Sequence, residues 1–182
     1  MAHEFTTAYL KDAISLFRSY KKLGEGALAQ VTDEQLLAKL DPEMNSIAIM
    51  VKHLAGNMRS RWSEFLTSDG EKSDRERDRE FETPPETRAA VMQLWAEGWE
   101  CVFAALEPLS EADLGRSVLI RGEPHSVMQA VNRQIAHYAY HVGQIVLLAK
   151  HFQHAKWKSL SVPRGKSSEF NRKVMAGELS QR

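Results

Sequence analysis

Ser126-Val127-Met128-Gln129-Ala130-Val131-Asn132-Arg133-Gln134-Ile135-Ala136-His137-Tyr138-Ala139-Tyr140-His141-Val142-Gly143-Gln144-Ile145-Val146-Leu147-Leu148-Ala149 is the stretch on which the fold turns. Met128, Val131, Ile135, Tyr138, Val142, Ile145 and Ala149 recur at three- and four-residue steps, the period of a helix that buries one face. Ser126 stands where an N-cap belongs, and the helix is predicted to end around His151 or Phe152. A second stripe, Gln134, His137, His141, Ile145 and Leu148, lies beside the core stripe rather than opposite it. Its two histidines therefore point toward a semi-buried groove.

Upstream, Ser117-Val118-Leu119-Ile120-Arg121-Gly122-Glu123-Pro124 reads as a small β-excursion with a turn at Gly122. Before it, Val91, Leu94 or Trp95, Gly98, Val102, Ala105 and Leu106 mark a third long helix, opened after Pro84 and Pro85 and stopped by Pro108. Cys101 on that helix reads as a small core residue, with no basic neighbour in sequence to activate its thiol. Ile47, Met50, Leu54, Met58, Trp62 and Phe65 predict a second long helix over about Ser46 to Leu66, capped by Asn45 or Ser46. Residues 68–83 alternate acids and bases with almost no apolar residue, the pattern of a solvated loop or a polar helix extension.

The first helix begins near Phe5 and carries Tyr9, Ala13, Phe17, Tyr20, Ala27 and Val31. Gly24 and Gly26 weaken it locally, since glycine costs about 1 kcal/mol relative to alanine in a helix interior. Thr32-Asp33-Glu34-Gln35 reads as a capping box opening a short turn through Leu36, Leu37 and Leu40. Long helices joined in sequence imply an all-α four-helix bundle. It is expected over residues 1–152, with a polar C-terminal tail, residues 153–182, packing on it.

The composition narrows the function. Lys+Arg and Asp+Glu are both 24 in 182 residues, so no broad basic surface is present for nucleic acid. Apolar residues make up 43% and no apolar run approaches the length of a membrane span. The stretch Met1-Ala2-His3-Glu4-Phe5-Thr6-Thr7 has neither the basic start nor the apolar run of a secretory signal. The single Cys101 cannot form an internal disulfide. These features lead to the expectation of a cytoplasmic protein acting on a small-molecule substrate.

His137 and His141, four residues apart, share a helix face and can reach one ion at the zinc–nitrogen distance of ~2.0–2.1 Å. Seven histidines in this length yield about a quarter of such a pair by chance, so the spacing alone decides little. Two buried imidazoles can equally be satisfied by backbone or by the hydroxyls of Tyr138 and Tyr140. His53, between Met50 and Leu54, reads by itself as a satisfied core histidine. If the second and fourth long helices face each other, His53 completes a three-nitrogen set with an open coordination position, the arrangement of a catalytic metal. His3 is terminal, His125 sits in a turn, and His151 and His154 fall at a helix C-terminus, where the dipole favours positive charge.

Asn45-Ser46-Ile47, then His53-Leu54-Ala55-Gly56-Asn57 and Arg61-Trp62, resemble the second-helix motif of the DinB-like superfamily. His137-Tyr138-Ala139-Tyr140-His141-Val142-Gly143-Gln144 resembles its fourth-helix motif, a histidine pair followed by Gly-Gln. Trp157-Lys158-Ser159-Leu160-Ser161-Val162-Pro163-Arg164-Gly165-Lys166-Ser167 looks like the tail of one bacterial branch. The resemblance implies an up-down-down-up four-helix bundle, often a homodimer, with one divalent metal ion on His53, His137 and His141. The superfamily includes S-transferases that use bacillithiol or mycothiol, a thiol-dependent isomerase, and proteins labelled metal-dependent hydrolases.

Three functions follow. The first is a thiol S-transferase, in which the open metal site lowers the pKa of a low-molecular-weight thiol that attacks an epoxide, halide or activated alkene. Arg164 and Lys166 could then neutralise an anionic part of a cofactor, or simply pin the tail. The second is a hydrolase that activates water on the same metal. It needs a general base, and no Glu or Asp lies within one turn of His137 or His141. The third is a metal-binding stress-response protein without turnover. Three imidazoles suit zinc, nickel, iron or cobalt.

Overall fold

The computed structural model describes residues 5–179, so His3 lies outside it. Among the described residues are six α-helices: α1 (Phe5–Leu28), α2 (Asp33–Leu37), α3 (Ile47–Trp62), α4 (Arg88–Leu106), α5 (Val127–Gln153) and α6 (Ser167–Met175). One antiparallel pair, β1 (Ser117–Ile120) and β2 (Glu123–Ser126), precedes α5. Among the described residues no helix is long and apolar enough to cross a membrane.

Polar caps set the helix starts. Thr32 and Gln35 cap α2 reciprocally, as the sequence predicts. Ser46 Oγ accepts from Ile49 N at 3.2 Å, and Thr87 Oγ1 accepts from Ala90 N at 3.1 Å. Ser126 and Gln129 form a second capping box at the start of α5. The predicted end of α3 is corrected from Leu66 to Trp62. Ser63 is already extended and Glu64 takes a positive φ of 50°, which ends the helical hydrogen bonding, although Phe65 stays buried in the turn that follows.

α3 packs along α4 and α1 along α5, while α3 also meets α5 and α1 meets α4, so the four long helices share one core. Trp95, Trp99, Tyr138 and Phe17 are its largest fully buried side chains. Burying such side chains contributes roughly 1.5–3 kcal/mol each, so this cluster is a principal source of stability. α1 runs unbroken through Gly24. A Cβ there would lie 2.3 Å from the Trp95 indole, so the residue that weakens the helix in isolation is what lets α4 approach it.

The charged stretch 68–83 is not simply solvated. A 3-10 turn at Asp78–Glu80 lies on α3, and Glu80 is buried. Lys52 Nζ, from α3, donates to the carbonyls of Arg79 and Thr83, the latter at 2.9 Å, and holds the stretch in place. At its other end Asp69 accepts from the backbone N–H groups of Arg121 and Gly122 at 2.8 and 2.7 Å. Both turn residues have positive φ, 57° and 77°, the two-residue hairpin geometry whose twist matches the strands.

Beyond α5 the tail returns to the helices. Trp157 and Leu160 pack against the core, and Gln30 exchanges hydrogen bonds with the Lys158 backbone at 3.1 and 2.7 Å.

Candidate metal centre

The rotation of α5 is fixed from its apolar side. Tyr138 is fully buried, its hydroxyl accepts from Trp62 Nε1 at 2.8 Å, and the Phe17 and Trp99 rings lie 5.6 Å from its own. With Tyr138 so held, His137 and His141 are turned toward α3. There the Ile49–His53–Asn57 stripe presents His53, only 3% exposed.

The three rings converge. Ring centroids are 5.4 Å apart for His53–His137, 4.8 Å for His53–His141 and 4.7 Å for His137–His141. One nitrogen from each lies within 4.8 Å of the others. His53 Nε2 and His137 Nε2 are 3.3 Å apart. Two nitrogens bound at ~2.05 Å to a tetrahedral ion lie about 3.4 Å apart, so this pair has the spacing a shared cation requires. The same distance suits an N–H···N hydrogen bond between the two rings.

The outer nitrogens are oriented for ligation. His53 Nδ1–H donates to Glu80 Oε2 at 2.8 Å, since an ionised carboxylate can only accept. His141 Nδ1–H donates to Gln144 Oε1 at 2.9 Å. Both bonds leave Nε2 as a lone pair, the tautomer a metal takes. His137 Nδ1 is buried with no partner. Neither Tyr138 nor Tyr140 satisfies the rings: Tyr138 is engaged by Trp62 and Tyr140 is 62% exposed. A buried ring nitrogen left unpaired costs about 1–3 kcal/mol, and an ion on Nε2 would leave that cost in place.

Burial pushes the His137 imidazolium down to about 3, helped by His141 and His53, and burial with His53 pushes His141 down to about 4. Both rings are neutral at pH 7, the form that binds metals. In the metal-free protein this has a consequence of definite sign. The unfolded chain takes up these two protons near the ordinary histidine value of 6.5, and the folded chain only near 3 to 4. Stability is therefore fully present above about pH 6.5 and falls as pH drops from there toward 4. Denaturant titrations of chelator-treated protein between pH 7.5 and 4.5 should show this loss, and a His137→Ala variant should show less of it.

Glu80 is the residue that the sequence reading leaves out. Burial raises its carboxyl, but hydrogen bonds from His53 and Arg75 outweigh burial and hold it below the usual range. Arg75 Nε donates to Oε1 at 2.8 Å and Nη2 to Oε2 at 3.0 Å. A Cβ at position 56 would lie 2.3 Å from Glu80 Oε1, so Gly56 on α3 clears the space that the carboxylate occupies. Phe81 stacks on His53 with centroids 4.5 Å apart. Within a stretch almost without apolar residues, Phe81 is the signal that this segment returns to α3. Gln144 belongs to the quoted Gly-Gln motif, and its spacing of three from His141 already put it within reach.

A cavity of about 260 Å³ opens over His53 and His137. Asn57, Arg61 and Gln134 line it, and each is buried with one polar atom unpartnered: Oδ1, Nε and Oε1 respectively. Arg75, Arg77, Arg121 and Arg133 complete the wall. Arg164 and Lys166 are exposed on the tail, are not among the lining residues, and Lys166 pairs with Glu169 at 3.3 Å. Cys101 sits half-buried on α4 with its thiol pushed up by burial.

Compared with known protein families, residues 4–166 match the model described as "Protein of unknown function (DUF1572)". No curated protein and no solved structure matches the chain.

Proposed function

The chain belongs to the DUF1572 family, and we propose that it is a metal-dependent enzyme that transfers a low-molecular-weight thiol, of the bacillithiol or mycothiol type, to an electrophilic small molecule. The observation that carries this reading is the convergence of His53, His137 and His141, with one nitrogen of each within 4.8 Å of the others and with His53 and His137 lining a cavity. A divalent ion held by these three imidazoles supplies Lewis-acid chemistry and lowers the pKa of a thiol, so that the thiolate is present at neutral pH.

The chain's own residues do the rest. Glu80 and Gln144 hold His53 and His141 in the ligating tautomer. Asn57 and Gln134 line the cavity, where their amide groups can orient a polar substrate. Zinc or nickel is the preferred ion, with iron or cobalt also compatible with three nitrogens. The mutual packing of α1, α3, α4 and α5 supports a four-helix bundle, and the up-down-down-up order and a homodimer are proposed from the resemblance to the DinB-like superfamily alone.

The hydrolase reading requires a base to take a proton from water. No carboxylate lines the cavity, and Glu80 is committed to His53 and Arg75. A thiol whose pKa a metal lowers would pass its proton to solvent before it attacks, so thiol transfer does not require a carboxylate in the cavity. Mixing the metal-loaded protein with a panel of low-molecular-weight thiols and a reactive electrophile should give conjugation that chelation abolishes. Turnover of esters or amides without thiol would favour hydrolysis instead. No rate above background in either assay would leave the non-catalytic reading.

A further inference from the structure

Five guanidinium groups surround one small cavity: Arg61, Arg75, Arg77, Arg121 and Arg133. All five stay charged at any physiological pH. Two carboxylates answer them. Glu71 accepts from Arg61 at 3.2 Å, Arg75 at 3.3 Å and Arg121 at 3.2 Å, and Glu80 takes Arg75. Asp69, nearby, is occupied by the backbone N–H groups of the hairpin turn. Among the described residues no carboxylate pairs with Arg77 or Arg133, and Arg77 rests on the face of Phe81 at 5.3 Å. The wall therefore carries an excess of positive charge, although the chain as a whole has a formal charge of zero.

Burial adds a second, independent sign of a ligand. Arg61 is 5% exposed, and its Nε–H is a buried donor without a protein partner beside this same cavity. Protein interiors rarely leave such atoms unpaired unless something else meets them. A concave site with low-dielectric walls and one sign of charge concentrates oppositely charged solutes. Its volume, about 260 Å³, admits a small metabolite and not a polymer backbone.

We propose that this cavity binds a small organic anion, a carboxylate or phosphate ester, whose oxygens are held by Arg77, Arg121 and Arg133 while its reactive end lies over His53 and His137. The proposal deepens, and for the reacting end rests on, the metal-dependent reading; the anion itself is read from the arginines. Guanidinium forks match carboxylate and phosphate oxygens in pairs, which gives orientation as well as affinity.

The test is calorimetric titration of the full chain, metal-loaded and chelator-treated, at low ionic strength, with succinate, inorganic phosphate and uncharged succinamide. Succinate or phosphate should bind saturably at one site per chain, and succinamide should not. The better of the two anions identifies the source as carboxylate or phosphate. Arg77→Gln and Arg133→Gln, both at exposed positions, should each weaken binding about tenfold, the loss expected for one charge-assisted contact. The chelator-treated wild-type chain should retain anion binding, so a failure of the metal reading leaves this outcome intact. No saturable binding of either anion by the wild type, or affinities unchanged in both arginine variants, overturns the proposal.

Discussion

Replacing His137 with alanine is expected to strip the ion from the protein without unfolding it. Wild-type protein freed of any affinity tag should carry about one divalent ion per chain by elemental analysis, and the variant less than about a tenth of that. Two of the three nitrogens would remain, and an ion on two imidazoles loses most of the affinity that a three-nitrogen site provides. The fold should tolerate the change. His137 is partly exposed and its Nδ1 has no partner, so the truncation removes an unpaired buried group along with some packing. These effects oppose each other, and the metal-free forms should differ by no more than about 1 kcal/mol. Excess ion separates them. At a free concentration ~1,000 times the dissociation constant, binding stabilises the wild type by about 4 kcal/mol. For a chain of this length that is roughly a 10 °C rise in Tm, and the variant should show almost none. A variant that keeps a stoichiometric ion, or a wild type that binds no divalent ion at all, would sink the metal centre and the chemistry built on it.

Much of this architecture was legible in the sequence, because it follows from local rules. The α5 stripe, the Ser126 cap, the Thr32–Gln35 box and the hairpin turn at Gly122 are each set by residues within a few positions of one another. The histidine pair was visible for the same reason, as an i,i+4 spacing next to the core stripe. What periodicity could not give was the environment of those rings. Glu80 reaches His53 across 27 positions, from a stretch whose alternating charges look like a solvated surface. Its burial depends on Arg75, on the clearance left by Gly56 and on Phe81 covering the ring, and no single one of these has a sequence pattern. The arginines of the cavity were hidden likewise. They come from α3, the 68–83 stretch, the hairpin and α5, and only the folded chain adds their charges. The basic residues singled out from the tail, Arg164 and Lys166, were chosen for their neighbours in sequence, and the cavity draws on others.

The dependence on Glu80 gives the second large effect. Glu80→Ala should destabilise the metal-free protein by about 3 kcal/mol and weaken the ion by about ten- to a hundredfold. The first figure comes from Arg75, whose side chain is only 5% exposed and would lose the nearer of its two carboxylates. Removing one partner of a buried pair costs about 3–5 kcal/mol, because the other charge stays desolvated. Glu71, at 3.3 Å from Arg75, holds the loss to the lower end of that range. The second figure comes from His53. Without an acceptor at Nδ1, its ring is free to turn and to place its proton on Nε2, which no ion can use. Glu80→Gln separates the two effects. It keeps the volume and one acceptor oxygen, but it removes the charge that balances Arg75, so its stability should fall nearly as far as in Glu80→Ala while more of the affinity survives.

The pH dependence fixes the sign. The Glu80 carboxyl is held below its ordinary range in the folded chain, so its contribution is fully present above that range and is lost as the pH falls from there through the lower folded value. The difference in unfolding free energy between wild type and Glu80→Ala should therefore be large at pH 7 and shrink progressively as the pH is taken below about 4. Urea titrations of chelator-treated protein measure the first quantity, and competition with a metal chelator measures the second. Equal stability at pH 7, together with an unchanged ion affinity, would mean that the buried carboxylate neither holds the loop to α3 nor orients His53.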